Sequence, residues 1–85
     1  MNNELLLDRI ASLNPEALTA DGHDDSIIGI TGSGTVVYDA KSIVDTLVKR
    51  DEMSEEDALE FFEYNIQGSH LGEYTPIYVW KVSRE

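Results

Sequence analysis

The sequence predicts an α+β fold: a small three-stranded, mostly antiparallel sheet with helices packed mainly on one face. Three observations carry this. Three segments place apolar residues at helical spacing. Three shorter runs are rich in β-branched and aromatic residues. The two kinds follow one another as helix, strand, strand, helix, helix, strand. The 85 residues suffice for one domain, 1–85, with an N-terminal helix over 1–13 and an α+β core over 14–82. Two layers let so few elements bury their apolar faces.

Each element has a local reason. Leu6, Ile10 and Leu13 recur at helical spacing, with Asn3 placed to cap the first turn. Asn14-Pro15 ends that helix, because the residue before a proline avoids helical geometry. The same pair can open one further turn, with Leu18 as its anchor. Asp21-Gly22-His23-Asp24-Asp25 reads as a polar loop. The runs 26–31 and 35–38 flank Gly32-Ser33-Gly34, the residue types a tight hairpin requires. Ile27, Ile28 and Ile30 occupy both alternating positions, which predicts a strand covered on one face and partly on the other.

Asp39 is placed to cap the next helix, whose stripe is Ile43, Val44, Leu47 and Val48, with Lys49 and Arg50 at its end. Ser54 is placed to cap the third helix, with Asp57 completing a variant capping box. Ala58, Phe61, Phe62, Asn65 and Ile66 form its apolar face and Gly68 its stop. The buried amide this face implies for Asn65 would tie down the loop that follows. The run 76–82 is the last strand, with Pro76 at its first residue or on an edge. Along it Ile77 and Val79 point one way, Tyr78 and Trp80 the other.

Composition excludes several classes of function. Seventeen acidic residues stand against six basic ones, a formal charge of −11. Direct binding to nucleic acid or to an anionic membrane needs a basic surface, so neither is expected. There is no cysteine, hence no disulfide, thiolate metal site or thiol nucleophile. No uncharged stretch is long enough to span a bilayer, and the start Met1-Asn2-Asn3-Glu4 lacks the basic region of a signal peptide. A soluble intracellular domain is the expectation.

The charge is unevenly placed. Between Arg50 and Lys81 there is no lysine or arginine, while that stretch holds eight acids. Glu56 stands four residues before Glu60, and Glu60 three before Glu63, where surface helices usually pair opposite signs. On a regular helical wheel Glu56, Asp57, Glu60 and Glu63 lie opposite Phe61 and Phe62, spread over roughly 10 Å of axis. Such a row approaches the charge spacing of duplex nucleic acid, about one charge per 1.7 Å. It reads either as a nucleic-acid mimic that occupies a basic groove or as an acidic face that aids solubility. Tyr78 and Trp80 are of the types favoured at partner contacts, and the alternative is that they are core.

The remaining signals point away from chemistry. Asp21, Asp24 and Asp25 lack the ligand alternation and closing glutamate of a calcium loop, so no metal site is expected. His23 and His70 have no partnered nucleophile, and no phosphate-binding loop or zinc motif occurs. The chain is therefore expected to have no catalytic residue and no cofactor.

Several segments together resemble a known group. Asn14-Pro15-Glu16-Ala17-Leu18, Asp21-Gly22 and Asp24-Asp25 precede Ile27-Ile28-Gly29-Ile30. Val37-Tyr38-Asp39, 53–58, 60–65, Gly68 and Gly72-Glu73-Tyr74-Thr75-Pro76 follow. The set resembles a family of small bacteriophage and prophage proteins for which no activity is agreed. The resemblance covers 14 to about 80 and carries over no functional residue. It implies a phage product acting in the bacterial host cytoplasm, where small acidic phage proteins include inhibitors of nucleases and defence systems. The expected function is a phage accessory protein that binds a host or defence protein, such as a basic DNA-binding protein. Glu56, Asp57, Glu60, Glu63, Tyr78 and Trp80 are its expected contact residues. The alternatives are a phage assembly protein working as a homodimer through the sheet, and a small-molecule or nucleotide-binding module.

Overall fold

Two helix caps read from sequence are made as expected and fix the start of the central helices. The carboxylate of Asp39 accepts the backbone N–H of Lys41 at 3.1 Å, and the hydroxyl of Ser54 accepts that of Asp57 at 3.1 Å. The computed structural model describes residues 4–69 and 72–83, so the expected cap Asn3 and the second histidine, His70, lie outside the described residues. The elements are α1 (Glu4–Leu13), a short 3₁₀ turn (Asp24–Ser26), β1 (Ile27–Ile30), β2 (Val36–Asp39), α2 (Ala40–Arg50), α3 (Glu55–Phe61) and β3 (Ile77–Val79). Beyond α3 the same helix continues over Phe62–Gln67 with the wider turn of a π-helix.

The sheet has the order β1-β2-β3. β1 and β2 form the expected antiparallel hairpin, but β3 runs parallel to β2, with Tyr38 opposite Tyr78. The sheet is therefore mixed, with one pair of each kind. The parallel pair follows from the connection: α2 and α3 carry the chain across between β2 and β3, and such a crossover returns it in the same direction.

A bulge in β1 resolves its three isoleucines. Ile27 pairs with Tyr38 and Ile30 with Val36, yet Gly29 pairs with Val37, so the register slips between Ile27 and Gly29. Ile27 and Ile30, three residues apart, thus both pack on the core, while Ile28 is left 46% exposed. The run is apolar at both alternating positions because one residue is extra, not because the strand is buried on both faces.

The core gathers Val36 and Tyr38 of β2 with Ile43 and Leu47 of α2, Ala58 of α3, Phe62 and Ile10 of α1. Tyr78 stacks on Tyr38 with centroids 5.4 Å apart, and Phe62 meets Tyr78 edge-on at 5.4 Å. These rings place α2 and α3 on the Tyr38 face of the sheet. In α1, Leu6 and Leu7 pack beside Ile10, whereas Leu13 is 64% exposed and does not extend the stripe. After it, Ala17 and Ala20, not Leu18, reach the core. The N–H of Ala20 donates to the Tyr38 hydroxyl oxygen at 2.7 Å.

The hairpin turn is tied to the end of α1. The Asn14 side chain accepts the N–H of Glu16 at 3.0 Å and donates to the Gly34 carbonyl at 2.9 Å. Gly34 has φ +94°, and a Cβ there would lie 2.6 Å from Asn14 Nδ2. Gly34→Ala is expected to destabilise the fold by about 2–3 kcal/mol, through backbone strain and loss of the Asn14 tie. The shift of the urea unfolding midpoint measures it. Gly68 is needed for a different reason from the expected left-handed stop. It keeps a helical φ of −72°, and a Cβ would press within 2.9 Å of the Tyr64 carbonyl.

Candidate functional site

The four acids named from the charge pattern, Glu56, Asp57, Glu60 and Glu63, are all exposed on α3 and its continuation. Their neighbours differ from the wheel expectation. Phe61 is not opposite them: it is 40% exposed and shares a shallow pocket with Asp57, Glu60, Tyr64 and Asn65. Asn65 is exposed and not a buried amide; its backbone carbonyl, not its side chain, accepts the Ser69 hydroxyl at 3.0 Å. The wider π-helix rotates every residue after Phe62 away from its α-helical position, which moves Asn65 outward.

On the other flank Trp80 is brought to Glu56. It meets Phe62 edge-on at 6.0 Å and lines a groove of about 540 Å³ between α2 and α3, with Leu59, Glu55 and Val44. Nearly half of Trp80 stays exposed. Its packing is against Phe62, at the edge of the core. Tyr78 separates from the group: it belongs to the ring cluster with Tyr38 and Phe62, and burial raises its hydroxyl pKa. Sequence reasoning missed Leu59, Phe61 and Tyr64 as surface groups. Their signal was present as apolar residues beyond what one narrow stripe can bury.

This surface is mainly acidic, with Lys41 at the edge of the Trp80 groove, where it pairs with Asp45 at 3.2 Å. Ion pairs join Lys41 to Asp45, Arg50 to Asp51 and Lys81 to Asp39, and none of these involves α3. Exposed carboxylates of α3 therefore stand beside exposed Leu59, Phe61, Tyr64 and Trp80, in no ion pair with a basic side chain among the described residues. This arrangement can attract a cationic surface and offer it apolar contact. Among the described residues no cluster of three or more potential metal ligands is gathered, and no helix is long and apolar enough to cross a membrane.

A second region lies on the opposite flank of α3. His23, read from sequence as part of a polar loop, is buried, and its Nδ1 has no hydrogen-bond partner among the described residues. Ser26 and Ser42 hydroxyls bond at 2.7 Å, and Arg50 Nη1 donates to the Gly22 carbonyl at 2.9 Å; together they fix this loop against α2. Burial, helped by the Arg50 charge, lowers the His23 pKa below 6.5, against the opposing pull of Asp51 and Asp24. The unfolded chain then takes up the proton first. Stability from His23 is complete above pH 6.5 and is lost as pH falls towards the folded pKa.

Tyr38 acts at the other end of the pH scale. Burial, partly opposed by the Ala20 N–H bond, pushes its pKa from 10.0 up to about 12. Its contribution is complete below pH 10 and is lost as pH rises to about 12. Urea midpoints measured for the wild type and for His23→Gln should diverge below pH 6.5, the wild type falling more steeply.

Comparison with family models, with curated proteins and with solved structures finds no match to this chain.

Proposed function

We propose that the protein is a non-catalytic binding protein whose acidic, aromatic α3 surface occupies a basic surface of a partner. The partner is a host or defence protein of bacteria, of the kind that otherwise holds nucleic acid. The phage context rests on the resemblance in the sequence. One observation carries the binding reading. Glu55, Glu56, Asp57, Glu60 and Glu63 are exposed and in no ion pair among the described residues, side by side with exposed Leu59, Phe61, Tyr64 and Trp80. An acidic face that only aids solubility has no use for four large apolar groups among its charges. The carboxylates supply steering and register, and the apolar groups supply desolvated contact.

The test is affinity capture from a bacterial lysate with the wild type and with a Glu56→Lys/Glu60→Lys variant. A basic protein retained by the wild type, lost from the variant and displaced by duplex DNA supports the reading. Retention by both forms contradicts it.

A second reading has its own observation. The sheet face away from α2 and α3 carries Val37 paired with Ile77, next to Val79, and Ile77 is 41% exposed. A homodimer through this face is the alternative. Sedimentation that is independent of concentration, and unchanged in Ile77→Asp, would remove it.

A further inference from the structure

One part of the α3 surface is concave, and its lining restricts what a partner can place there. Glu55, Glu56 and Leu59 lie within one turn of each other on α3. Lys41, Val44 and Asp45 share one face of α2 in the same way. Between these two faces runs the groove of about 540 Å³, and Trp80 completes its lining. Fully buried Phe62 holds the indole from the core side, edge-on at 6.0 Å, while nearly half of Trp80 stays exposed. The groove therefore offers an aromatic ring fixed by the core, beside the apolar side chains of Val44 and Leu59. Charge complementarity fixes the sign of the occupant. Three carboxylates, Asp45, Glu55 and Glu56, stand in the lining against one ammonium, Lys41, already bound to Asp45 at 3.2 Å. Glu55 and Glu56 are in no ion pair among the described residues. The start of α3 opposes a cation with about half a positive charge, which these two carboxylates outweigh.

Taking the α3 surface as a binding surface, on which this inference rests, we propose that the groove seats an arginine side chain of the partner. The aliphatic stem covers Val44 and Leu59. The planar guanidinium stacks on the Trp80 ring, and its N–H groups donate to the Glu56 carboxylate. Arginine meets all three demands of the lining: an apolar stem, a flat tip and a positive charge. Lysine shares the stem and the charge, but its compact ammonium has neither the plane nor the paired donors. An acidic side chain or a phosphate is repelled by the same carboxylates.

The test follows backbone amide NMR shifts of the full chain as three blocked tripeptides are added. Each has glycine at both ends and, in the middle, arginine, lysine or citrulline, which keeps the shape of arginine without its charge. The arginine peptide, at concentrations on the order of 1 mM, should shift the amides of Val44, Glu56, Leu59 and Trp80. It should also change the emission of Trp80, the sole tryptophan. The citrulline peptide should bind at least about tenfold more weakly, and the lysine peptide roughly threefold more weakly. Glu56→Gln, at an exposed position that spares the core, should weaken arginine binding about tenfold. Glu63→Gln, outside the groove, should leave it unchanged. No shifts at the groove, shifts spread over the acidic residues at large, or citrulline binding as well as arginine would each overturn the arginine site, whatever protein the surface captures. Groove shifts with arginine, but no basic protein captured from lysate, would uphold the site and count against the wider surface.

Discussion

Phe62→Ala is expected to remove roughly half or more of the protein's folding stability. Phe62 is fully buried and joins the layers: it meets Tyr78 of β3 at 5.4 Å and Trp80 at 6.0 Å, both edge-on, from the helix that packs on α2. Truncating a buried phenylalanine costs about 3–5 kcal/mol. A chain of this size has on the order of 5–10 kcal/mol in all. The two ring contacts make the upper half of the truncation range the better expectation, since each adds about 0.5–1.5 kcal/mol beyond area. Phe62→Leu retains most of the volume and should cost about 1.5 kcal/mol. Trp80 is the sole tryptophan and touches Phe62, so its fluorescence reports the loss directly during urea titration. A wild-type midpoint in Phe62→Ala would contradict the packing account.

Charge reversal on α3 is expected to move stability and binding in opposite directions. Glu60 stands one turn from both Glu56 and Glu63, and no base neutralises any of the three among the described residues. Glu60→Lys turns two repulsive pairs into attractive ones, worth about 0.4–1 kcal/mol each. Thermal stability should therefore rise. Partner binding should fall about tenfold with this change and about 100-fold with Glu56→Lys added, at 1.4 kcal/mol per factor of ten. A helix that keeps repulsive charges at a stability cost is what a binding surface under selection for contact would retain. If both stability and binding were unchanged, neither the repulsion nor the contact would be real.

The elements were legible in the sequence because their signals are local. Asp39 and Ser54 cap where a capping residue before an apolar stripe must, and Gly32-Ser33-Gly34 turns the hairpin. What escaped was set by interactions beyond the reach of local spacing. The parallel pairing of β3 depends on the crossover through α2 and α3, a signal that was present in the element order. The bulge at Ile28 made a one-sided strand read as two-sided. The π-type turn from Phe62 onward broke the regular wheel, so Asn65 is outside. Phe61 lies with the acids for a local reason: it stands four residues after Asp57 in the regular part of α3, one turn along the same face.

The candidate surface was half legible for the same reason. Exposed carboxylates announce themselves by composition, and Glu56, Asp57, Glu60 and Glu63 are exposed, though Phe61 lies among them and not opposite. The aromatic component is tertiary. Tyr78 went to the core and Trp80 to the groove beside Glu56, on the helix side of the sheet. The burial of His23 had no sequence signal, because its loop reads as polar from end to end.

The proposed binding surface is tested most directly by one titration: the dissociation constant of the captured partner for wild type and Glu56→Lys/Glu60→Lys, at low and high salt. Exposed charges are screened over about 10 Å at 0.1 M salt and about 3 Å at 1 M. The account predicts tight wild-type binding that weakens steeply with salt, and a variant that binds about 100-fold more weakly at low salt, with a flatter salt dependence. Equal dissociation constants for the two proteins, unaffected by salt, would contradict it.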